Sequence, residues 1–265
     1  MKTMLLERVL IPLDGTPAAE AVVPMLEPIL RRSGSEVFLV RALPPGDPPS
    51  PVDEADEYLR AIADRLQDGG LCAHTLVGRG SPSQVIESLA ADEEISLIAM
   101  SVPQDGVGPV MERLLRGSAR HVLAFRPPAA AALSRKSRRT ILAPLDGSEE
   151  SRRSLPLALE LAGILEARVI LMRVIERDDE EMEALHDLHD VAHRLALQGL
   201  TAEIWIERGE PVEKILQVSR DEEARLIVLT TRGRSGGPDD ALGPVTTQVM
   251  NRSEVPVLAV HVRGP

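Results

Sequence analysis

Two stretches of the chain end an apolar run in a carboxylate, a glycine and a hydroxyl. They are Val9-Leu10-Ile11-Pro12-Leu13-Asp14-Gly15-Thr16 and Ile141-Leu142-Ala143-Pro144-Leu145-Asp146-Gly147-Ser148. A carboxylate in such a turn can accept hydrogen bonds from ribose hydroxyls while nearby backbone groups read a base. It can equally serve its own turn, accepting from the N–H groups that follow. Both uses stand open at Asp14 and Asp146. Thr16 and Ser148 are the residue types that cap a helix start. Ligands of open α/β sheets bind at the carboxyl ends of strands, where these turns would lie.

A second kind of chemistry belongs to glycine loops, whose backbone N–H groups can turn inward onto a phosphate. One such loop runs Thr230-Thr231-Arg232-Gly233, then nine residues including Arg234, then Gly243-Pro244. Pro244 brings neither an N–H nor a hydroxyl, although proline is also at home in a first helical turn. The other candidate runs Ser101-Val102-Pro103-Gln104-Asp105-Gly106-Val107-Gly108 and leads on to Gly117-Ser118. Asp105 there would repel a phosphate, and Val107, not glycine, stands at the place nine residues before Gly117.

A third cluster is His186, His189 and His193, which fall within an arc of about 60° if helical. His189 and His193 have the i,i+4 spacing of metal-binding helices, with no HExxH glutamate between them. A solvated helix flank is the plainer reading. Neither GxxxxGK[ST] nor a Gly-x-Ser-x-Gly elbow occurs, and no GxGxxG follows either first strand. Cys72 is expected as a small buried strand residue. Tyr58 and Trp205 stand apart and form no stacking platform for single-stranded nucleic acid.

The elements that would position these residues come in two copies. Asp14 and Asp146 lie 146 − 14 = 132 positions apart, and Gly80 and Gly209 lie 209 − 80 = 129 apart. Between these marks Val37–Ala42 matches Val169–Val174, and Leu97–Met100 matches Leu226–Leu229. Each copy alternates strands and helices, which predicts a parallel sheet covered on both faces. In copy one the pattern gives one helix over about 17–32, a Gly-rich loop after the fourth strand, and a shortened or rebuilt last helix near 109–118. In copy two it gives helices over 149–165 and 178–198. The domains are expected at 1–127 and 140–265, joined by a linker at 128–139 that carries the basic run Arg135–Arg139.

Composition narrows the classes. The 265 residues suffice for two cores, and 43% hydrophobic with 27% charged residues is ordinary for a globular protein. A net charge of −11 argues against nucleic-acid binding. Cys72 is the one cysteine, so no intrachain disulfide is expected. Met1–Glu7 is too short and too soon charged for a signal peptide. No apolar run nears the roughly 20 residues of a membrane helix. These readings point to a cytoplasmic protein with no membrane partner.

The Pro-x-Asp-Gly-[Ser/Thr] turns, Gly80-Ser81-Pro82 and Gly209-Glu210-Pro211, and the glycine loops together resemble the universal stress protein family. Two copies span nearly the whole chain, as in a tandem-domain member. The resemblance implies α/β domains with five-stranded parallel sheets, Rossmann-like and of the adenine-nucleotide alpha-hydrolase type, paired as an internal pseudo-dimer. It also implies a regulatory or stress-protective protein that binds an adenine nucleotide, ATP with or without Mg²⁺. The implied site residues are Pro12, Asp14, Ala42, Gly117 and Ser118 in copy one. In copy two they are Pro144, Asp146, Val174, Gly233 and Gly243, and copy two keeps more of the pattern. The rivals are a partner-binding protein with decayed nucleotide sites and a weak ATP-hydrolysing enzyme, although no general base stands out. A homodimer of tandem chains is compatible with the family's habit of pairing through the last strand.

Overall fold

A computed structural model describes residues 6–46, 50–103, 105–126, 139–233 and 242–262. The chain divides into two units, Met1–Pro127 and Pro128–Pro265. Residues 128–138 of the expected linker at 128–139, together with Gln104 and Arg234, lie outside the described residues.

The first unit runs β1 (Arg8–Pro12), α1 (Pro17–Glu20), α2 (Val22–Ser33), β2 (Glu36–Leu43), α3 (Ser50–Asp68) and β3 (Cys72–Arg79). It continues α4 (Pro82–Asp92), β4 (Leu97–Ser101), α5 (Pro109–Gly117) and β5 (His121–Phe125). The second unit repeats the order as β6 (Thr140–Pro144), α6 (Glu149–Arg152), α7 (Leu155–Leu165), β7 (Arg168–Ile175) and α8 (Glu181–Ala196). Then come β8 (Ala202–Arg208), α9 (Pro211–Asp221), β9 (Ala224–Thr230), α10 (Pro244–Arg252) and β10 (Val257–Val260). A single 3₁₀ turn, Asp178–Glu180, precedes α8.

Within the first unit the strands stand in the order β3-β2-β1-β4-β5, all parallel. The second unit has the same order, β8-β7-β6-β9-β10, again all parallel. Chain direction across the sheet reverses beside β1 and beside β6. Those two places are the switch points where a crevice opens at the strand ends. The central strands read as continuous apolar runs because helices cover both faces. Val9, Leu10 and Ile11 in β1 and Ile141, Leu142 and Ala143 in β6 are wholly inaccessible.

Two expectations about helices are corrected. The helices expected as single spans over 17–32 and 149–165 are each broken, at Ala21 and at Arg153–Ser154. Pro24 and Pro156, themselves 132 positions apart, supply the reason. Neither can donate to the carbonyl four residues back, and the ring crowds that carbonyl, so the helix restarts just before each proline. Nor is the last helix of the first unit shortened: α5 has 9 residues and α10 has 9. The difference lies in the loop before it. From Ser101 to Gly108 is 108 − 101 = 7 positions, and from Thr230 to Gly243 is 243 − 230 = 13, so the first loop is 6 residues shorter.

Candidate functional site

In both units the turn aspartate serves its turn. Asp146 Oδ1 accepts from the Ser148 N–H at 3.0 Å and from the Ser148 hydroxyl at 2.5 Å. Asp14 Oδ1 accepts from Thr16 in the same way, at 2.9 and 2.6 Å. The hydroxyl oxygens in turn accept from the backbone of the following helix, Ser148 from Ser151 and Thr16 from Ala19. One oxygen of each carboxylate is thus committed to shaping the strand-to-helix corner. Gly15 and Gly147 sit in the left-handed region, at φ 82° and 84°, which explains glycine after aspartate.

The second unit does more with this corner. Asp146 Oδ2 lies against Gly233, so closely that a Cβ built on Gly233 would stand 2.2 Å from it. Glycine at 233 is therefore what lets the segment after β9 close onto the end of β6. A cleft of about 370 Å³ opens here, at the carboxyl ends of β6, β7 and β9 and the start of α10. All five residues expected in this copy, Pro144, Asp146, Val174, Gly233 and Gly243, line it. Its apolar wall includes Leu145, Met172, Ile215, Leu229 and Val245.

Four further lining residues carry charge: Arg173, Glu176, Glu180 and Arg232. Arg173 lies across Gly147, where a Cβ would meet its Nη1 at 2.1 Å, and it faces Asp187 Oδ2 at 4.0 Å. Asp187 also receives Arg152 from α6, so an ionic link ties α6, β7 and α8 together behind the turn. Glu180 Oε2 accepts from the Glu176 N–H at 3.1 Å, and Oε1 accepts from Arg177 at 3.2 Å. The Glu176 N–H, followed by Arg177, holds the Glu180 carboxyl below the usual range and keeps it charged. Sequence reasoning missed Glu176 and Glu180 because they follow a strand end with no motif to mark them. Arg173 was visible as the counterpart of Arg41 in the repeat, but its type alone assigned it no role.

At the start of α10 the hydroxyls turn inward. The Gly243 N–H donates to Thr231 O at 2.7 Å, and Pro244 has no N–H. The Thr246 hydroxyl donates to Thr230 O at 2.8 Å, and the Thr247 hydroxyl to Gly243 O at 3.1 Å. The Thr230 hydroxyl donates to Arg232 O.

The first unit does not gather its five expected residues. Pro12 and Asp14 are at the end of β1, and Asp14 is exposed. Ala42 packs on an apolar cluster that includes Phe38, Val85, Ile86 and Leu114. Gly117 and Ser118 are at the carboxyl end of α5, where the buried Ser118 gives its N–H to Leu114 O. That end of a helix carries negative partial charge, the wrong sign for a phosphate. The residues standing where Gly243-Pro244 stand are Gly108-Pro109: Gly108 is the N-cap of α5, as Gly243 is of α10. The Gly-Ser pair matched the motif by residue type and missed it by a full helix. Beside this corner the Arg41 guanidinium lies 5.4 Å from the Tyr58 ring, and Tyr58 donates to Glu20 at 2.9 Å. Burial, and then the hydrogen bond to Glu20, pushes the Tyr58 phenol well above its usual range.

The structure also places Cys72 and the histidine cluster. Cys72 is exposed and not in the core, with Sγ 3.3 Å from His74 Nε2. β3 is an edge strand, and it is Ala73 that alternation turns inward. His186, His189 and His193 are all exposed, with His186 3.7 Å from Asp190. Among the described residues no group of three or more His, Cys, Asp or Glu could hold a metal ion. Nor is any described helix long and apolar enough to cross a membrane.

Comparison with known proteins agrees with the duplicated fold. The family model described as "Universal stress protein family" matches residues 6–126 and again 137–261. Universal stress protein YxiE of Bacillus subtilis is 28% identical over 144 residues, covering 46% of this chain and 97% of its own. Universal stress protein Sll1654 of Synechocystis is 30% identical over 133 residues, covering 46% of this chain and 85% of its own. Among solved structures, a universal stress protein from Archaeoglobus fulgidus aligns over 96% of this chain and 98% of its own, with a TM-score of 0.81 at 22% identity. These two relatives each cover about half of this chain, and the structural match covers nearly all of it. With the family model covering both repeats, the chain belongs to the universal stress protein family.

Proposed function

We propose that the chain binds an adenine nucleotide in the cleft of the second unit, and does so in a regulatory or stress-protective role. The observation that carries this reading is the meeting of Pro144, Asp146, Val174, Gly233 and Gly243 in one cleft at the switch point of the sheet. The apolar wall of Met172, Val174, Ile215 and Leu229 offers a base a surface that excludes water. Asp146, already oriented through its Oδ1 bonds, would accept from ribose hydroxyls. Arg232 would meet phosphate charge. A Mg²⁺ ion bound with the nucleotide would offset part of its phosphate charge. The reading assigns binding and not turnover.

The test is to denature freshly purified protein and assay the supernatant by mass for adenine nucleotides, then to titrate nucleotide-free protein. Copurified or saturable nucleotide, lost in Asp146→Ala and in Gly233→Val, supports the reading. A nucleotide-free preparation with no thermal shift in millimolar ATP overturns it and favours a partner-binding protein.

A further inference from the structure

Each unit carries a three-residue bridge that no motif marks. It runs from the short helix after the turn, through a long helix, to an arginine laid across the turn glycine. In the second unit the members are Arg152 of α6, Asp187 of α8 and Arg173 of β7. Asp187 Oδ1 receives Arg152, and Asp187 Oδ2 faces Arg173 Nη1 at 4.0 Å. In the first unit the matching positions hold Glu20 of α1, Tyr58 of α3 and Arg41 of β2. The offsets are 152 − 20 = 132, 187 − 58 = 129 and 173 − 41 = 132, the two spacings of the repeat. The buried Ala55, Leu59, Ile62 and Leu66 of α3 match Ala184, Leu188, Val191 and Leu195 of α8 at 129, which fixes the register of these helices. In this unit the Tyr58 hydroxyl donates to Glu20 at 2.9 Å, and the Arg41 guanidinium lies 5.4 Å from the Tyr58 ring.

The residue types differ at two of the three positions, yet the bridge ends in the same contact. A Cβ built on Gly15 would stand 2.7 Å from Arg41 Nη1, and one on Gly147 would stand 2.1 Å from Arg173 Nη1. Two unlike sets of side chains reach one geometry, so the arginine's place is no by-product of a single pairing. In the second unit this place matters to the cleft. Arg173 is among its lining residues, and Asp187 and Arg152 are not. Asp187 therefore reaches the site through Arg173. Their side chains are 11% and 19% exposed, so solvent screens the attraction only in part. Neutralising Asp187 would leave the guanidinium groups of Arg152 and Arg173 beside an amide, with no carboxylate between them. Arg173 would then leave Gly147, and the turn that carries Asp146 would lose its backing.

We infer that Asp187 is a positioning residue of the nucleotide cleft: it holds Arg173 against the Gly147 turn and so fixes Asp146 for the ribose. The inference rests on the nucleotide reading above and adds to it a residue that touches no ligand.

The experiment is calorimetric titration of the full-length, nucleotide-free protein with adenosine and with ATP and Mg²⁺. Beside it, amide hydrogen exchange is read at Ser148, whose N–H Asp146 holds. In Asp187→Asn both ligands are expected to weaken by the same factor, fivefold or more, and the Ser148 amide to exchange at least threefold faster. Asp187→Glu is expected to restore the affinity to within threefold of the unaltered protein. Adenosine carries no charge, so its loss reads position. A change in ATP affinity alone would read only charge, and overturns the inference. A bridge that serves stability alone would lower the unfolding midpoint and leave the adenosine affinity of the folded protein unaltered, which also overturns it. Should Asp187→Asn fail to fold, Arg152→Gln, which opens the bridge at its outer end, carries the test. A loss of twofold or more is then expected for both ligands, and no loss overturns the inference. No binding of either compound by the unaltered protein overturns the nucleotide reading, and this inference with it.

Discussion

At the scale of single residues, the two aspartates divide one carboxylate between two duties. Oδ1 builds the turn in both units, and in the second Oδ2 lies against Gly233 on the facing segment. Asp146→Ala should therefore lower nucleotide affinity by about tenfold or more, the scale of a hydrogen bond to a charged group. Asp14→Ala should leave the titration unchanged. Calorimetry on both variants decides. A second prediction concerns Tyr58, the chain's one tyrosine. Its folded-state pKa is raised, by burial first and the Glu20 hydrogen bond second, so the folded state keeps a proton that the unfolded state loses near pH 10. The stability this confers is whole below about pH 10 and is lost as pH climbs above it. Phenolate absorbance near 295 nm (an ordinary tyrosinate band) should lag far behind that of the denatured chain, and Tyr58→Phe should flatten the alkaline fall in stability. The residue scale is also where the sequence misled. Cys72 reads as core by type, and only the position of β3 at the sheet edge turns it outward.

Among elements, strands and corners were legible and loops were not. The Asp-Gly turns, the apolar β1 and β6 runs and the Gly-x-Pro starts of α4 and α9 all follow from local rules: alternating elements, left-handed glycine, proline in a first helical turn. The helix breaks before Pro24 and Pro156 obey equally local rules, yet an amphipathic pattern running through them conceals the break. Gly117-Ser118 failed for a different reason. Its dipeptide fits the phosphate motif, and the clue against it, the buried Met111, Leu114 and Leu115 of α5, precedes it in the chain. Reading the amphipathic run first would have moved the loop end to Gly108. The acidic ends of α4 and α9 offer a test of element energetics. Glu94 and Glu223 both take the left-handed conformation, at φ 50° and 46°, where glycine is the usual residue. Replacing the exposed Glu94 by glycine removes a strain of about 1–2 kcal/mol. It also adds unfolded-chain entropy worth about 0.5–1 kcal/mol. Glu94→Gly should therefore gain about 0.5 kcal/mol net, read as a higher denaturation midpoint with unchanged slope.

For the whole molecule, duplication has left two units with one order of strands and different corners. The first unit's loop is 6 residues shorter, its Ala42 sits in an apolar cluster, and its helix start is Gly108-Pro109. The second unit keeps the cleft. Such a chain should bind one nucleotide, not two, and the binding should register in one unit. The sequence supplies a separate reporter for each: Tyr58 in the first unit and Trp205, the one tryptophan, in the second. A ligand that binds only the folded form stabilises it by RT ln(1 + [L]/Kd), about 2.7 kcal/mol at a hundredfold excess over Kd. Thermal unfolding followed by Trp205 fluorescence should then move upward with AMP concentration, while the Tyr58 absorbance transition moves less or not at all. Leu142→Ala, which empties a wholly buried position in β6, should lower the Trp205 transition in the manner of a core truncation worth about 2–5 kcal/mol. The matching Leu10→Ala change in β1 should lower the Tyr58 transition. Equal shifts of both reporters with AMP, or a titration that saturates at two nucleotides per chain, would mean that the first unit binds as well. Its shorter loop would then have to hold a ligand by groups other than those that make the cleft of the second.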